Sequence, residues 1–263
     1  MKNLGLVSQG NIIKVDVTKG ELMPLKKTSD NESLKEIITY QVNVPINDNG
    51  SMPMFITHKK DLILTGNNPL LLYVYGSFGW TEIPFMNAKY ATFLDMGGIH
   101  VMPNLRGGGA LGKKWYNDGL KLKKTNTIED ILHATKWLKR NKFSIGNNIV
   151  LEGNSAGTIV SMAAINREPQ LYAGAILEVP ITDLIKASED KGGMWRSEFG
   201  NPNIEHQFNT MLKYSPYHNV GIEKNYPPIF LAPGSYDKTA PPYHAYKLYA
   251  ELSKNKSNNV YLR

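Results

Sequence analysis

The stretch LEGNSAGTIV, Leu151 to Val160, sets a serine between two glycines at G-x-S-x-G spacing, after one apolar run and before another. A serine on a sharp strand-to-helix turn is a nucleophile elbow, with its hydroxyl presented above a sheet for attack on a carbonyl. The neighbours of Ser155 suit that task. Gly153 and Gly157 let strand and helix approach closely while Ser155 takes up a strained backbone. The helix that begins there favours negative charge at its N-terminus, and the backbone N–H of Ala156 is placed to donate to an oxyanion. The spacing alone is common, arising by chance in about one chain in ten of this length, so its context decides. NIVLEG reads as a short buried strand and Thr158 to Asn166 as a helix. The plainer alternative is a serine that caps a helix after a glycine turn.

A serine hydroxyl needs a base, the base needs a carboxylate to orient it, and on this kind of sheet the chain order is Ser, acid, His. Asp237, in GSYDKTAPP, follows the apolar run PPIFLAPG and precedes a helix expected near Pro241. That is the strand end where open α/β sheets collect functional side chains. An ordinary carboxylate at a helix start is the alternative. Asp183, in VPITDL, ranks below it because its strand directly follows the elbow helix. The base is harder to place. His58, His100, His133, His206 and His218 all precede Asp237, and His244 lies within the helical PYHAYKLYAEL, in the same loop-helix unit as the acid. All six are expected to be non-catalytic.

These residues need a scaffold, and the apolar pattern supplies one. Asn11 to Leu25 alternates Ile13, Val15 and Val17 with polar residues and turns at Thr18-Lys19-Gly20, a hairpin signature. The polar Lys26 to Ser33 reads as a linker, and Tyr40 to Lys60 as a second hairpin turning at Asn47 to Gly50. From Pro69 apolar strands alternate with helical segments: PLLLYVYG, NAKYATFLDM, IHVMPNL, IEDILHATKWLKRN, NIVLEG, SAGTIVSMAAIN and AGAILEVP. An irregular insert is expected from Asp183 to Pro216, then strand PPIFLAPG, helix PYHAYKLYAELSKN and the final NNVYLR. This alternation implies a parallel sheet covered on both faces.

Composition excludes several classes. Hydrophobic residues make up 41% and charged ones 20%, which is the range of an ordinary globular chain and not of a disordered one. The net charge of +7 would draw polyanions, yet the lysines are scattered. The densest run, Lys113 to Lys124, includes Asp118 and no arginine; it reads as a solvated face, with a phosphate-binding patch as the alternative. No nucleic-acid or membrane partner is expected. Without cysteine there is no disulfide framework and no thiolate nucleophile or ligand. The N-terminus lacks the apolar core of a secretory signal and no segment reaches the length of a membrane helix, so the cytoplasm is the expected location.

Several further motifs occur in a fixed order: PMFITHKK, YGSFG, MGGIHVMPNLRGGGALGKKWYNDG, GNSAG, WRSEFGNP, YSPYHNV and GSYDKTAP. From about Tyr40 to Arg263 the chain thereby resembles the prolyl oligopeptidase family of serine peptidases, which includes oligopeptidase B. The resemblance implies an α/β-hydrolase fold, a doubly wound, mostly parallel sheet. It implies residues 1–36 as a hairpin remnant of a β-propeller blade plus linker, and residues 37–263 as the peptidase domain. The family's histidine loop and last helix are expected to be missing, so that the chain is trimmed at both ends relative to the family.

By the same resemblance Ser155 is the nucleophile and Asp237 the acid, and the oxyanion is held by the Ala156 N–H and the hydroxyl of Tyr75. Phe78, Trp195 and Phe199 would bind substrate. Trp195 falls where prolyl members carry the tryptophan that stacks on proline, and Ser197 stands where oligopeptidase B has a second glutamate. A flat indole suits a pyrrolidine ring and offers nothing to a guanidinium. GNSAG and RGGGALGKKWYNDG lie closer to oligopeptidase B, and Trp195 as a plain core residue is the alternative. Thr239 occupies the place of an arginine that anchors the substrate backbone in prolyl members. The expected function is hydrolysis of short peptides after proline, with neither cofactor nor metal. The competing readings are a dead or split-gene fragment, with a complementary piece supplying the histidine, and an esterase on the same fold.

Overall fold

The structure, a computed structural model, describes residues 12–26, 36–84, 88–145 and 147–263. The first hairpin forms a separate two-stranded antiparallel sheet of β1 (Ile12–Asp16) and β2 (Glu21–Lys26). Its expected first residue, Asn11, and the linker from residue 27 on lie outside the described residues.

All other strands join one eight-stranded sheet: β3 (Ile37–Pro45), β4 (Ser51–Lys59), β5 (Leu70–Val74), β6 (Ile99–Pro103), β7 (Ile149–Asn154), β8 (Gly174–Glu178), β9 (Ile229–Ala232) and β10 (Val260–Leu262). Their order is β10-β9-β8-β7-β5-β6-β4-β3. From β6 to β10 neighbours run parallel, and the second hairpin adds β4 and β3 antiparallel at one edge. At the other edge β10 pairs with β9 alone among the described residues.

The helices are α1 (Ala88–Asp95), α2 (Lys113–Asn117), α3 (Thr125–Arg140), α4 (Gly157–Arg167), α5 (Leu184–Lys191), α6 (Gly193–Phe199), α7 (Glu205–Leu212) and α8 (Tyr243–Leu252). α4 packs on β5, β7 and β8 with α3 against it and over β3, and it is buried from Gly157 through Asn166. That is why SAGTIVSMAAIN is apolar all round instead of striped. On this face Ile149, Leu151, Leu177, Ile229 and Leu231 are fully buried. Side chains alternate across a strand, and the other face of β7 to β9 carries Val150, Ile176 and Phe230, which are only half-buried. α1 covers that face over β4 and β6. Beside α1 a cavity of about 250 Å³ opens between Pro69, Leu71, Phe93, Val150 and Ile176.

Two expectations need correction. The insert from Asp183 to Pro216 is helical, forming α5, α6 and α7. Each helix has about two turns, too short for a periodic stripe, and each is fixed from outside itself. Asp183 caps α5 through the Lys186 N–H at 3.0 Å, and Trp195, Phe199 and Met211 are buried anchors. Secondly, the run Lys113 to Lys124 is not uniformly solvated: Trp115 is buried in the core, and among its lysines Lys124 is fully buried, because a glutamate far along the chain awaits it. No helix among the described residues is long and apolar enough to cross a membrane.

Candidate active site

β7 delivers Ser155 at the carboxyl edge of the sheet, and the turn is as tight as the glycines predict. Ser155 has φ 49°, a left-handed conformation that costs a non-glycine residue energy. A Cβ on Gly157 would lie 2.1 Å from the Val74 carbonyl, and one on Gly153 2.2 Å from Ser161 Oγ. Neither position has room for a side chain. The strained turn is pinned from both sides: the Ser155 N–H donates to Glu178 O at 2.9 Å, while Thr158 Oγ1 donates to Ser155 O at 2.6 Å and accepts from the Ile181 N–H at 2.8 Å. The Ser155 hydroxyl itself has no hydrogen-bond partner among the described residues, and the Ala156 N–H likewise donates to no carbonyl there.

Val74 of β5 lies opposite Gly153 of β7, so Tyr75 leaves the adjacent strand at the edge where Ser155 appears. The same pressing of Gly157 against Val74 O brings a Cβ there within 3.0 Å of Tyr75 Cα. The half-buried Tyr75 hydroxyl makes no hydrogen bond among the described residues. Burial, with the carboxylates of Glu82 and Glu198 nearby, pushes its pKa above that of a free phenol, which keeps it a donor.

Asp237 follows β9, two strands from β7, and is half-buried. Its Oδ1 accepts from the N–H groups of Thr239 at 2.7 Å and Ala240 at 2.9 Å, which fixes the loop. Asp183, the lesser candidate, is a structural cap that also pairs with Lys247. The histidines are spread over the molecule. His58 meets the Tyr40 hydroxyl, His133 meets Asn47 and His218 meets Ser215. His244 is buried in α8 with Nδ1 accepting from the Asp183 N–H at 3.2 Å. His100 is buried against Tyr90, ring centroids 3.9 Å apart, with neither nitrogen bonded.

The three aromatic residues expected at the substrate pocket meet. Trp195 and Phe199 of α6 stack with centroids 5.2 Å apart, and Phe78 stands edge-on to both, at 5.7 Å and 5.8 Å. Phe78 is half-buried with φ 56°, whereas Trp195 and Phe199 are 3% and 1% exposed. Three contributors had escaped sequence reasoning. Thr158 is one. Glu82 is another, a buried carboxyl whose backbone is clamped by Asn104 at 2.9 Å and 3.0 Å, whose Oε1 has no partner, and whose pKa burial pushes up to about 7. The third is the pair of Lys124 and Glu198, 2.9 Å apart and both fully buried. No signal in the sequence marks that pair, since its members lie 74 residues apart. Among the described residues no three His, Asp or Glu side chains gather as a metal cage.

Residues 84–263 match the model of the prolyl oligopeptidase family. Prolyl oligopeptidase ophP of Omphalotus olearius is 34% identical over 227 residues, covering 85% of this chain and 30% of that protein. The prolyl endopeptidase of Elizabethkingia meningoseptica is 30% identical over 253 residues, covering 95% and 36%. A solved prolyl endopeptidase structure superposes with a TM-score of 0.90 at 31% identity, covering 96% of this chain and 38% of that one. The chain thus spans about a third of the length of these relatives. Their catalytic fold, an α/β-hydrolase, is the fold described above.

Proposed function

The chain belongs to the prolyl oligopeptidase family, and from that premise we propose that it carries the hydrolytic centre of a serine peptidase that cleaves short peptides after proline. Ser155 Oγ attacks the scissile carbonyl, and its proton passes to an imidazole. The oxyanion that forms is held by the Ala156 N–H and the Tyr75 hydroxyl, and its collapse expels the amine, which takes the proton. Water then attacks the acyl-enzyme by the same route. Asp237 orients the imidazole. Phe78, Trp195 and Phe199 receive the proline ring, a compact apolar group against flat apolar walls. The observation that carries the reading is the left-handed Ser155 on an elbow with no room for a side chain at Gly153 or Gly157.

We assign the base to a histidine other than the six of this chain, brought by a complementary polypeptide segment. In this reading residues 37–263 form the peptidase domain and the first hairpin a piece of a propeller blade. Having no cysteine, the protein suits the reducing cytoplasm. The dispersal of the histidines also supports a second reading, a chain that is inert by itself. Labelling with a fluorophosphonate and turnover of a fluorogenic peptide containing proline test both. Labelling at Ser155 with turnover, alone or with a histidine-bearing complement, supports the first. Absence of both under either condition leaves the second, because losing a triad histidine removes orders of magnitude in rate. Cleavage of short esters but not of peptides would make the protein an esterase.

A further inference from the structure

Lys124 is a buried ammonium with every donor spoken for. Its Nζ donates to Gly76 O at 2.7 Å, Ser77 Oγ at 2.7 Å and Glu198 Oε1 at 2.9 Å, which uses the three N–H bonds a lysine owns. The first two acceptors lie in the loop that carries Tyr75 and Phe78, and the third lies in α6 between Trp195 and Phe199. The Phe199 ring sits 5.1 Å from the same nitrogen, and Glu198 Oε2 accepts from the Tyr116 hydroxyl at 3.1 Å. Space is reserved for this arrangement. A Cβ on Gly107 would come 2.5 Å from Gly76 O and 3.1 Å from Lys124 Nζ.

A buried ion pair is poor evidence of stabilisation, since an apolar pair of similar volume often serves as well. A cation whose N–H groups donate to two segments of different origin does something an apolar pair does not: it sets the distance between them. We propose that Lys124 is a positioning residue that fixes the Tyr75–Phe78 loop against the Trp195–Phe199 helix, so that one buried ammonium sets both the oxyanion donor and the proline pocket. This rests on the functional reading above for the meaning of the two segments, though not for the tie between them.

The test uses the full chain carrying Lys124→Met with Glu198→Gln, which removes the charge from both partners and so avoids stranding one. Ser77→Ala is the milder variant, deleting one acceptor. Two measurements are made at matched thermal stability. Amide hydrogen exchange is followed in residues 75–78 and 195–199, with α4 as the internal reference. Binding is compared for a short peptide ending in proline as the free acid, whose carboxylate enters the oxyanion site, and as the amide. In the double variant both segments exchange about tenfold faster than α4 accounts for, and the preference for the acid over the amide falls about tenfold. Ser77→Ala loses about threefold of that preference. Unchanged exchange in the two segments, or loosening shared equally by α4, overturns the proposal. So does a double variant that binds both peptides as the parent does. If the parent binds neither peptide the functional reading fails, and the exchange data alone then decide whether Lys124 ties the segments.

Discussion

The pairs Lys124–Glu198 and Lys89–Glu152 each join distant parts of this chain, and they are built to different standards. Lys124 and Glu198 are both fully buried beneath the candidate site, and every donor and acceptor between them is used. Lys89 of α1 and Glu152 of β7 stand 2.5 Å apart; the lysine is 44% exposed, the glutamate 1%, and Glu152 Oε2 has no partner. Lys89 also reaches Glu178 at 3.0 Å, and Tyr90 donates to Glu152 Oε1 at 3.1 Å while stacking on the unbonded His100. The same two residue types give a closed polar network in one place and an open one in the other. A closed network dictates geometry, and an open one makes its region sensitive to solvent and pH.

The sharpest way to break the contrast is acid. Burial depresses His100 to about 3, against 6.5 in the unfolded chain. Stability from keeping it neutral is therefore complete above pH 6.5 and drains as pH falls towards 3, by about 5 kcal/mol in all. In His100→Leu that acid-limb loss should largely disappear, as followed by urea unfolding at a series of pH values. Next in size is Lys124→Met alone, which strands a buried carboxylate and should cost about 4 kcal/mol in chemical denaturation at pH 7. Glu82 tests the site from the opposite pH side. Its carboxyl, raised to about 7 from 4.5 by burial, is stabilising to keep protonated. That stability is whole below pH 4.5 and is lost as pH rises through 7, about 3 kcal/mol, and Glu82→Gln should flatten this limb of the pH profile. Smallest is Lys89→Met. Its removal also leaves Glu152 buried, but Tyr90 still donates to that carboxyl and burial already raises its pKa, so it can take up a proton and the loss should be about 2 kcal/mol in the same denaturation assay; a loss equal to that of Lys124→Met would erase the contrast.

The same pairs show what the chain disclosed in advance. The elbow was legible because its requirements are local: a strand, two glycines and a helix between Ile149 and Arg167. Tyr75, Phe78, Trp195 and Phe199 became legible only through family motifs, for no spacing rule says that Phe78 will stand edge-on to two rings of a helix over a hundred positions later. Lys124 was not legible because a lysine run is uniform in sequence and only the fold selects which member turns inward. The helices of the insert are hidden in the sequence for a related reason. Its short helices take their order from buried anchors, and their own periodicity is too brief to declare them.

At the far edge of the sheet, β10 leaves Tyr261 58% exposed beside the half-buried Phe230 and Ile176. An edge strand of this kind is open to pairing, and the net charge of +7 opposes the approach of copies in dilute buffer. That repulsion reaches about 10 Å at 0.1 M salt and about 3 Å at 1 M. The colloidal behaviour should therefore run against habit: added salt brings clustering, and dilute buffer keeps the protein dispersed.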